Sequence, residues 1–259
     1  MRIAVLIKQV PDTWGERKLD LATGRLDRDA SDRIIDEIGE RALEVALQAR
    51  DAKTADEVVV VTMGPAPAAE AVKKGLSMGA DSGIHISDDA LAGSDTWTTA
   101  EALAGALREG GFDLVIAGNE STDGRGGVVP AMVAELLGLP LLAELDEVTI
   151  GAGEVSGSRG VDDAILTVSA PLPALVSITE RTPEPRFPNL RGIMGAKKKP
   201  VAGQDSSAVG VEGGAAGPGA HSVVTATAER PPRSAGTIVE DDGTAAAQLA
   251  EFLAKNRLI

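Results

Sequence analysis

The sequence predicts an α/β fold, a doubly wound and mostly parallel sheet, followed by an extended C-terminal arm. Three observations point to it. Short apolar runs rich in β-branched residues recur (Arg2–Lys8, Glu57–Thr62, Phe112–Ala117), the composition of strands covered on both faces. Segments with helical apolar spacing separate them, and the connections are short. Of the 259 residues 43% are hydrophobic, enough for a sizeable core, and mean hydropathy is +0.04.

Taken in order, Arg2–Lys8 is the first buried strand. Gln9–Ser31 is polar, holds Pro11, Gly15 and Gly24, and reads as a long excursion or hairpin. Asp32 caps a helix over Arg33–Arg50, whose Ile34, Ile35, Ile38, Ala42, Val45 and Ala46 follow the helical repeat. Glu57–Thr62 is the second strand, closed by Gly64-Pro65. Ala66–Met78 is an alanine-rich helix that stops at Gly79. Gly83–Ile86 is a short strand. Asp95 or Thr96 opens a helix to Arg108, and Gly110-Gly111 end it. Phe112–Ala117 is the next strand, and Val128–Leu137 the helix after a glycine-rich loop. Beyond Pro140 the pattern alternates. Ala143–Ile150, Glu154–Ser158, Ala164–Ser169 and Ala174–Thr179 read as further strands, antiparallel in part, finishing the same sheet. The globular body is expected to end near Arg181. Val201–Arg233 is rich in Gly, Ala, Ser and Pro and reads as a linker or arm. Thr244–Leu253 closes the chain as an amphipathic helix carrying Leu249, Phe252 and Leu253 on one side.

Composition excludes several function classes. Cysteine is absent, which removes disulfides, thiolate metal sites and a cysteine nucleophile. His85 and His221 are the only histidines, so a multi-histidine zinc site or a histidine triad is not expected. Net charge is −14, from 25 basic and 39 acidic residues, and such a chain repels nucleic-acid phosphate and anionic lipid. No apolar run approaches the roughly 20 residues of a membrane span, and no signal peptide precedes the first strand. Aromatic residues are 2%, too few for base stacking.

The strongest local signal is the loop Gly118-Asn119-Glu120-Ser121-Thr122-Asp123-Gly124-Arg125-Gly126-Gly127-Val128-Val129, between a buried strand and a helix. Ligands of open α/β sheets bind outside the carboxyl ends of strands. Glycines let backbone N–H groups approach phosphate, and the following helix presents its positive end. Ser121, Thr122 and Arg125 add donors and charge. The loop is neither a Walker A nor a G-x-G-x-x-G sequence. Spacing alone leaves nucleotide binding of a Rossmann-like kind and a plain βα turn both open. Two more strand ends, Leu6–Lys8 and Thr62-Met63-Gly64-Pro65, should face the same crevice. Asp12, Glu16, Asp36, Glu37 and Glu40 read as helix-start and surface acids rather than a metal or acid–base site. No nucleophile, base and orienting group assemble, so no catalytic residue is assigned.

Several segments together resemble the beta subunit of electron-transfer flavoprotein: MRIAVLIKQVPDTW, VVVVTMGPAPAAEAVKKGLSMGAD, DLVIAGNESTDGRGGVVPAMVAELLGLP and EPRFPNLRGIMGAKKKPV. The resemblance covers about Met1–Val201 and includes the closing helix. It implies a heterodimer whose alpha subunit holds most of a redox-active FAD. Electrons pass from acyl-CoA and related dehydrogenases to the flavin, then to a membrane quinone oxidoreductase. The beta subunit is an electron carrier's half rather than an enzyme, and a cytoplasmic location is expected. It carries a structural AMP in the common branch and a second FAD in the bifurcating branch. The family's AMP contacts fall on Leu6, on Asp36, Glu37, Ile38 and Gly39, on Met63, and on Gly118–Val129. Family members often have Asn at the position of Asp36 and Gln at that of Val128. Their absence moves phosphate binding onto the amides of Gly127, Val128 and Val129, and leaves the Asp36 carboxylate as a ribose acceptor. The family's partner-recognition loop falls on 183–200, with its anchoring leucine at Leu190 beside Ile193 and Met194, and Thr13 falls near the flavin edge. The resulting division is an α/β nucleotide-binding domain over 1–182, the recognition loop over 183–200 and the arm over 201–259. An ATP-handling transferase and a stand-alone adenylate-binding protein are the other readings of this architecture. The first lacks a phosphate-gripping lysine after the glycine loop, and the second leaves the recognition loop without a use.

Overall fold

The computed structural model describes residues 1–15, 17–211, 221–229, 231–232 and 236–259. Two compact units are present, Met1–Ala226 and Thr227–Ile259. The first unit is built on a seven-stranded sheet of β1 (Arg2–Leu6), β4 (Glu57–Met63), β5 (Ser82–Ile86), β6 (Leu114–Gly118), β7 (Leu141–Leu145), β11 (Ala174–Ile178) and β12 (Val201–Gln204). Their order is β12-β5-β4-β1-β6-β11-β7, and every pair is parallel.

Side-chain alternation makes two cores from one sheet. Ile3, Val5, Val58 and Val60 face α1 (Glu37–Asp51) and α2 (Ala69–Met78), meeting Leu43, Leu47, Val72 and Leu76. Ala4, Leu6, Val59 and Val61 face α3 (Thr96–Arg108) and α4 (Val129–Leu137), meeting Leu103, Leu107 and Val133. Both faces are dry, which is why these strands read as continuous apolar runs. The helix limits follow local chemistry. Asp95 caps α3 by accepting from the Thr98 amide at 2.8 Å, and Gly138 ends α4 in the left-handed region at φ 65°.

The structure departs from expectation in four places. Arg33–Ile35 is not helical. It is β3, paired antiparallel with β2 (Gln9–Pro11), and α1 starts four residues later, capped by Asp36 rather than Asp32. The cap is selected by a tertiary partner of Asp36, invisible in the local sequence. Beyond Pro140 only β7 and β11 join the central sheet. β8 (Glu147–Ile150), β9 (Glu154–Val161) and β10 (Ala164–Pro171) form a separate antiparallel sheet, and Asp162-Asp163 turns β9 into β10. Their apolar–polar alternation suits a sheet with one covered face, which the central sheet does not offer. The 183–200 stretch holds a short helix, α5 (Leu190–Ala196), capped by Asn189 Oδ1 accepting from the Gly192 amide at 2.8 Å. Two glycines within seven residues hid it.

The fourth departure concerns the start of the arm. Val201–Gln204 is the edge strand β12, and Val209 and Val211 are buried against α3. The compact body therefore runs past 201 to Ala226, while 212–220 lie outside the described residues. Small and polar residues with two valines give no periodicity to read. In the second unit α6 (Ala245–Lys255) forms as the sequence predicts, with Leu249 and Phe252 exposed.

Candidate functional site

The parallel register brings three strand ends to one crest. Leu6 pairs with Val61 on one side and with Ala117 on the other, so the ends of β4 and β6 flank that of β1. Leu6 is buried there, Met63 is half-buried, and Gly118 closes β6. The Gly64 amide donates to the Ile86 carbonyl at 3.0 Å, and His85 Nε2 lies 3.1 Å from the Gly64 carbonyl oxygen, so the Met63-Gly64-Pro65 turn is pinned to β5. The start of α1 meets the crest directly. A Cβ on Gly118 would stand 2.8 Å from Ile38 Cγ2, so this approach admits only glycine.

The first half of the 118–129 loop is clamped from several directions. Asp36 is buried, and its two oxygens are both engaged. Oδ1 accepts from the Ile38 amide at 3.0 Å, and Oδ2 accepts from the Thr122 amide and hydroxyl at 2.7 Å each. Asp36 therefore joins the loop to α1 and is not an open ribose acceptor. Lys8 Nζ donates to Asp123 Oδ1 at 2.7 Å and to Ser121 Oγ at 3.1 Å. The Asp123 side chain is only 3% exposed. Burial works against its charge, but the Lys8 ammonium and the hydrogen bonds from Lys8, Ser121 and the Gly124 amide hold its pKa below the ordinary value. Arg17 donates to the Thr122 carbonyl and, at 3.1 Å, to its hydroxyl oxygen. Arg28 lies 3.8 Å from Asp123 Oδ2.

The second half is open. Gly124–Val128 are exposed, and Gly126 and Gly127 face free space. Gly127 has φ 65°, which favours glycine, and Arg125 has φ 48°. Arg125 pairs with Glu120 at 3.3 Å. No side chain caps α4; Pro130 in its first turn has no N–H, so the amides of Val128, Val129 and Ala131 are the ones a cap leaves free, a type of helix start suited to an anion. Among the described residues, Asn119 Oδ1 after β6 and Thr62 Oγ1 near the end of β4 are buried without a hydrogen-bond partner. A glycine cradle that runs into an uncapped nine-residue helix fits a phosphate-bearing nucleotide.

Of the expected contact residues, the structure gathers Leu6, Asp36, Ile38, Gly39, Gly118, Thr122 and the loop around one crest, with Met63 across β1 from the loop. Glu37 is exposed. Lys8, at a strand end that the sequence turns toward the crevice, is an anchor of the loop. Arg17 and Arg28 were not foreseen, because more than 90 residues separate each from its loop partner. Glu16 lies outside the described residues. The neighbouring acids are used singly: Asp12 accepts from the Trp14 amide at 3.0 Å and Glu40 pairs with Lys74 at 3.3 Å. Among the described residues no cluster of His, Cys, Asp or Glu is arranged to hold a metal ion.

A second surface lies at 183–200. Leu190 is 80% exposed, Met194 73% and Phe187 92%, with Ile193 beside them. The stretch is nevertheless fixed at both ends. Arg186 forks onto Glu44, with Nε at 2.7 Å and Nη2 at 2.9 Å, and reaches Asp51 at 2.7 Å. Burial opposes the Glu44 charge, but Arg186 holds its pKa below the usual value. Lys199 Nζ donates to carbonyls at the C-terminal end of α2, those of Leu76 at 3.0 Å, Gly79 at 3.3 Å and Ala80. Among the described residues no helix is long and apolar enough to cross a membrane.

Comparison with known proteins gives the architecture a family. Residues 23–209 match the electron transfer flavoprotein domain. The chain is 49% identical to the electron transfer flavoprotein subunit beta of Mycobacterium tuberculosis, with 99% of each chain covered. It is 48% identical to the same subunit of Mycobacterium leprae, again over 99% of each. It is 35% identical to a subunit of the caffeyl-CoA reductase–Etf complex of Acetobacterium woodii, over 78% of this chain and 77% of that one. The parallel sheet, the glycine loop at its crest and this full-length likeness agree, and the chain belongs to the electron transfer flavoprotein family as a beta subunit.

Proposed function

We propose that this subunit binds AMP at the crest and pairs with an alpha subunit that carries most of a FAD. The AMP phosphate sits against the amides at the start of α4 and the Gly126-Gly127 backbone, with adenine and ribose toward Met63, Ile38 and Gly39. The single observation that supports this best is the division of the 118–129 loop into a clamped half and an open half that ends at an uncapped helix. Lys8, Arg17 and Arg28 are all engaged by the protein's own oxygens, so the anion site rests on backbone amides. A bound flavin supplies the redox chemistry, and this chain's residues position and shield it.

In the same reading, 183–200 is the surface that acyl-CoA and related dehydrogenases grip. An apolar anchor on a stretch held by Arg186 and Lys199 is preorganised, which lowers the ordering cost of docking. The flavin then passes electrons to a membrane quinone oxidoreductase, and the complex acts in the cytoplasm. The second reading is a bifurcating-type subunit with a second FAD in place of AMP; the chain is also 35% identical to a subunit of a caffeyl-CoA reductase–Etf complex.

Extraction of nucleotides from the purified, co-expressed heterodimer decides between them. One AMP and one FAD per heterodimer are expected. Two FAD and no AMP would establish the second reading, and no adenylate beyond a single FAD would refute the crest as a nucleotide site.

A further inference from the structure

Residues 12–32 run between β2 and β3, two strands that pair only with each other and not with the central sheet. The segment folds on itself through the Leu19–Leu26 bridge and the Asp27 amide on the Lys18 carbonyl, 2.9 Å. It buries little: Leu19 and Leu21 are each half exposed, and Trp14 is fully so. Two of its side chains cross to the 118–129 loop. The Arg17 guanidinium spans the Thr122 carbonyl, the Thr122 hydroxyl at 3.1 Å and the Pro11 carbonyl at 3.2 Å. Arg28 donates to the Gln9 carbonyl at 3.4 Å and lies 3.8 Å from Asp123. Thr122 in turn is held by Asp36, the cap of α1. A continuous relay therefore runs from the segment through Arg17 and Thr122 to Asp36 and the start of α1.

We infer that Arg17 is a positioning residue for the crest loop, and that through it nucleotide occupancy sets the order of the 12–32 segment. The inference rests on the adenylate reading above. The physical basis is a shared loop. Arg17 fixes residue 122 in the arrangement that leaves Gly124–Val128 facing outward, and an anion on those amides holds the same arrangement from the other side. Whatever stabilises a conformation at one end stabilises it at the other, and the coupling is reciprocal. Loss of Arg17 removes charge-assisted hydrogen bonds from a buried threonine, so adenylate retention should fall on the order of tenfold. Arg33, the first residue of β3, by contrast pairs with Asp29 of the segment at 3.0 Å, and provides a control that loosens the segment without touching the loop.

The test is amide hydrogen exchange over 12–32 in the heterodimer, in the nucleotide-bound state, after stripping and after adding AMP back, together with the rate of adenylate loss on dilution. Wild type should exchange faster in 17–28 when stripped and slow again with AMP. Arg17→Ala should exchange fast in both states and lose adenylate about tenfold faster, with Arg17→Lys between the two. Arg33→Ala should exchange faster yet keep both the response to AMP and the retention of wild type. An Arg17→Ala heterodimer that holds adenylate like wild type, or a segment whose exchange ignores AMP, overturns the inference and leaves the adenylate reading standing. A wild-type heterodimer that binds no adenylate overturns both.

Discussion

Gly192→Ala tests how the stretch proposed to dock dehydrogenases is held. Gly192 lies in α5 where that helix crosses α2, and an added Cβ would stand 2.3 Å from the Ser77 carbonyl oxygen. Contacts of that kind below 3.0 Å are essentially never seen, and the opposing atom is backbone, so α5 must retreat by at least about 0.7 Å. Overpacking of this kind costs about 1–3 kcal/mol. Alanine returns about 1 kcal/mol of helix propensity, so the net loss is roughly 0–2 kcal/mol. The retreat carries the exposed Leu190 and Met194 with it, the side chains proposed as docking anchors. Gly195→Ala is the matched control. It lies in the same helix with no atom within 4 Å of its added Cβ, so it keeps the propensity gain without the clash. The assays are thermal unfolding of the heterodimer and flavin reduction by an acyl-CoA dehydrogenase across dehydrogenase concentrations. Gly192→Ala should lower Tm by up to a few degrees and raise the apparent KM for the dehydrogenase several-fold with adenylate content unchanged. Gly195→Ala should match or exceed wild type in Tm with unchanged KM. If the two variants behave alike in both assays, α5 does not sit on α2 as described.

Asp36→Ala removes a helix cap and strands the buried Thr122 amide and hydroxyl, which should cost about 2–4 kcal/mol in denaturant unfolding, with Asp36→Asn recovering part of it. A loss below about 1 kcal/mol would contradict the clamp. The pH dependence follows from Asp123 and Glu44, whose folded pKa values lie below their ordinary 3.8 and 4.5. Their contribution is complete above those ordinary values and is lost as pH falls through the depressed folded ones. Acid unfolding followed by circular dichroism below pH 3.8 should therefore be shallower in Asp123→Asn than in wild type, and equal slopes would show that the Asp123–Lys8 pair is not stabilising. Gly105→Ala would put a Cβ 2.1 Å from the Val209 carbonyl oxygen and should expel 205–211 from α3, speeding proteolytic cleavage there. Unchanged cleavage would argue against the packing of Val209 and Val211.

The α/β body was legible because strands such as Glu57–Met63 are buried on both faces and declare it by an unbroken run of Val. The crest loop was legible from its glycines: Gly118 stands where the backbone approaches Ile38 closely, and Gly127 takes a left-handed turn at φ 65°. What the sequence did not reveal are choices made by distant partners. Asp32 and Asp36 are equal candidates as caps until Thr122 appears beside Asp36. Arg17 and Lys8 look like solvated cations until the loop folds onto them. β12 has no apolar signature because an edge strand is recruited by backbone pairing with β5, and the antiparallel β8–β10 sheet separated because its alternation needs only one covered face.

The central claim is that the 118–129 loop of this subunit is where an adenylate is held. Photolabelling the heterodimer with 8-azido-AMP, followed by mapping of the modified peptides, tests it most directly. Label should fall on peptides containing Ile38–Gly39, Met63 or Gly118–Val129, and excess AMP should abolish it. Label confined to the partner subunit, or unaffected by AMP, would contradict the account.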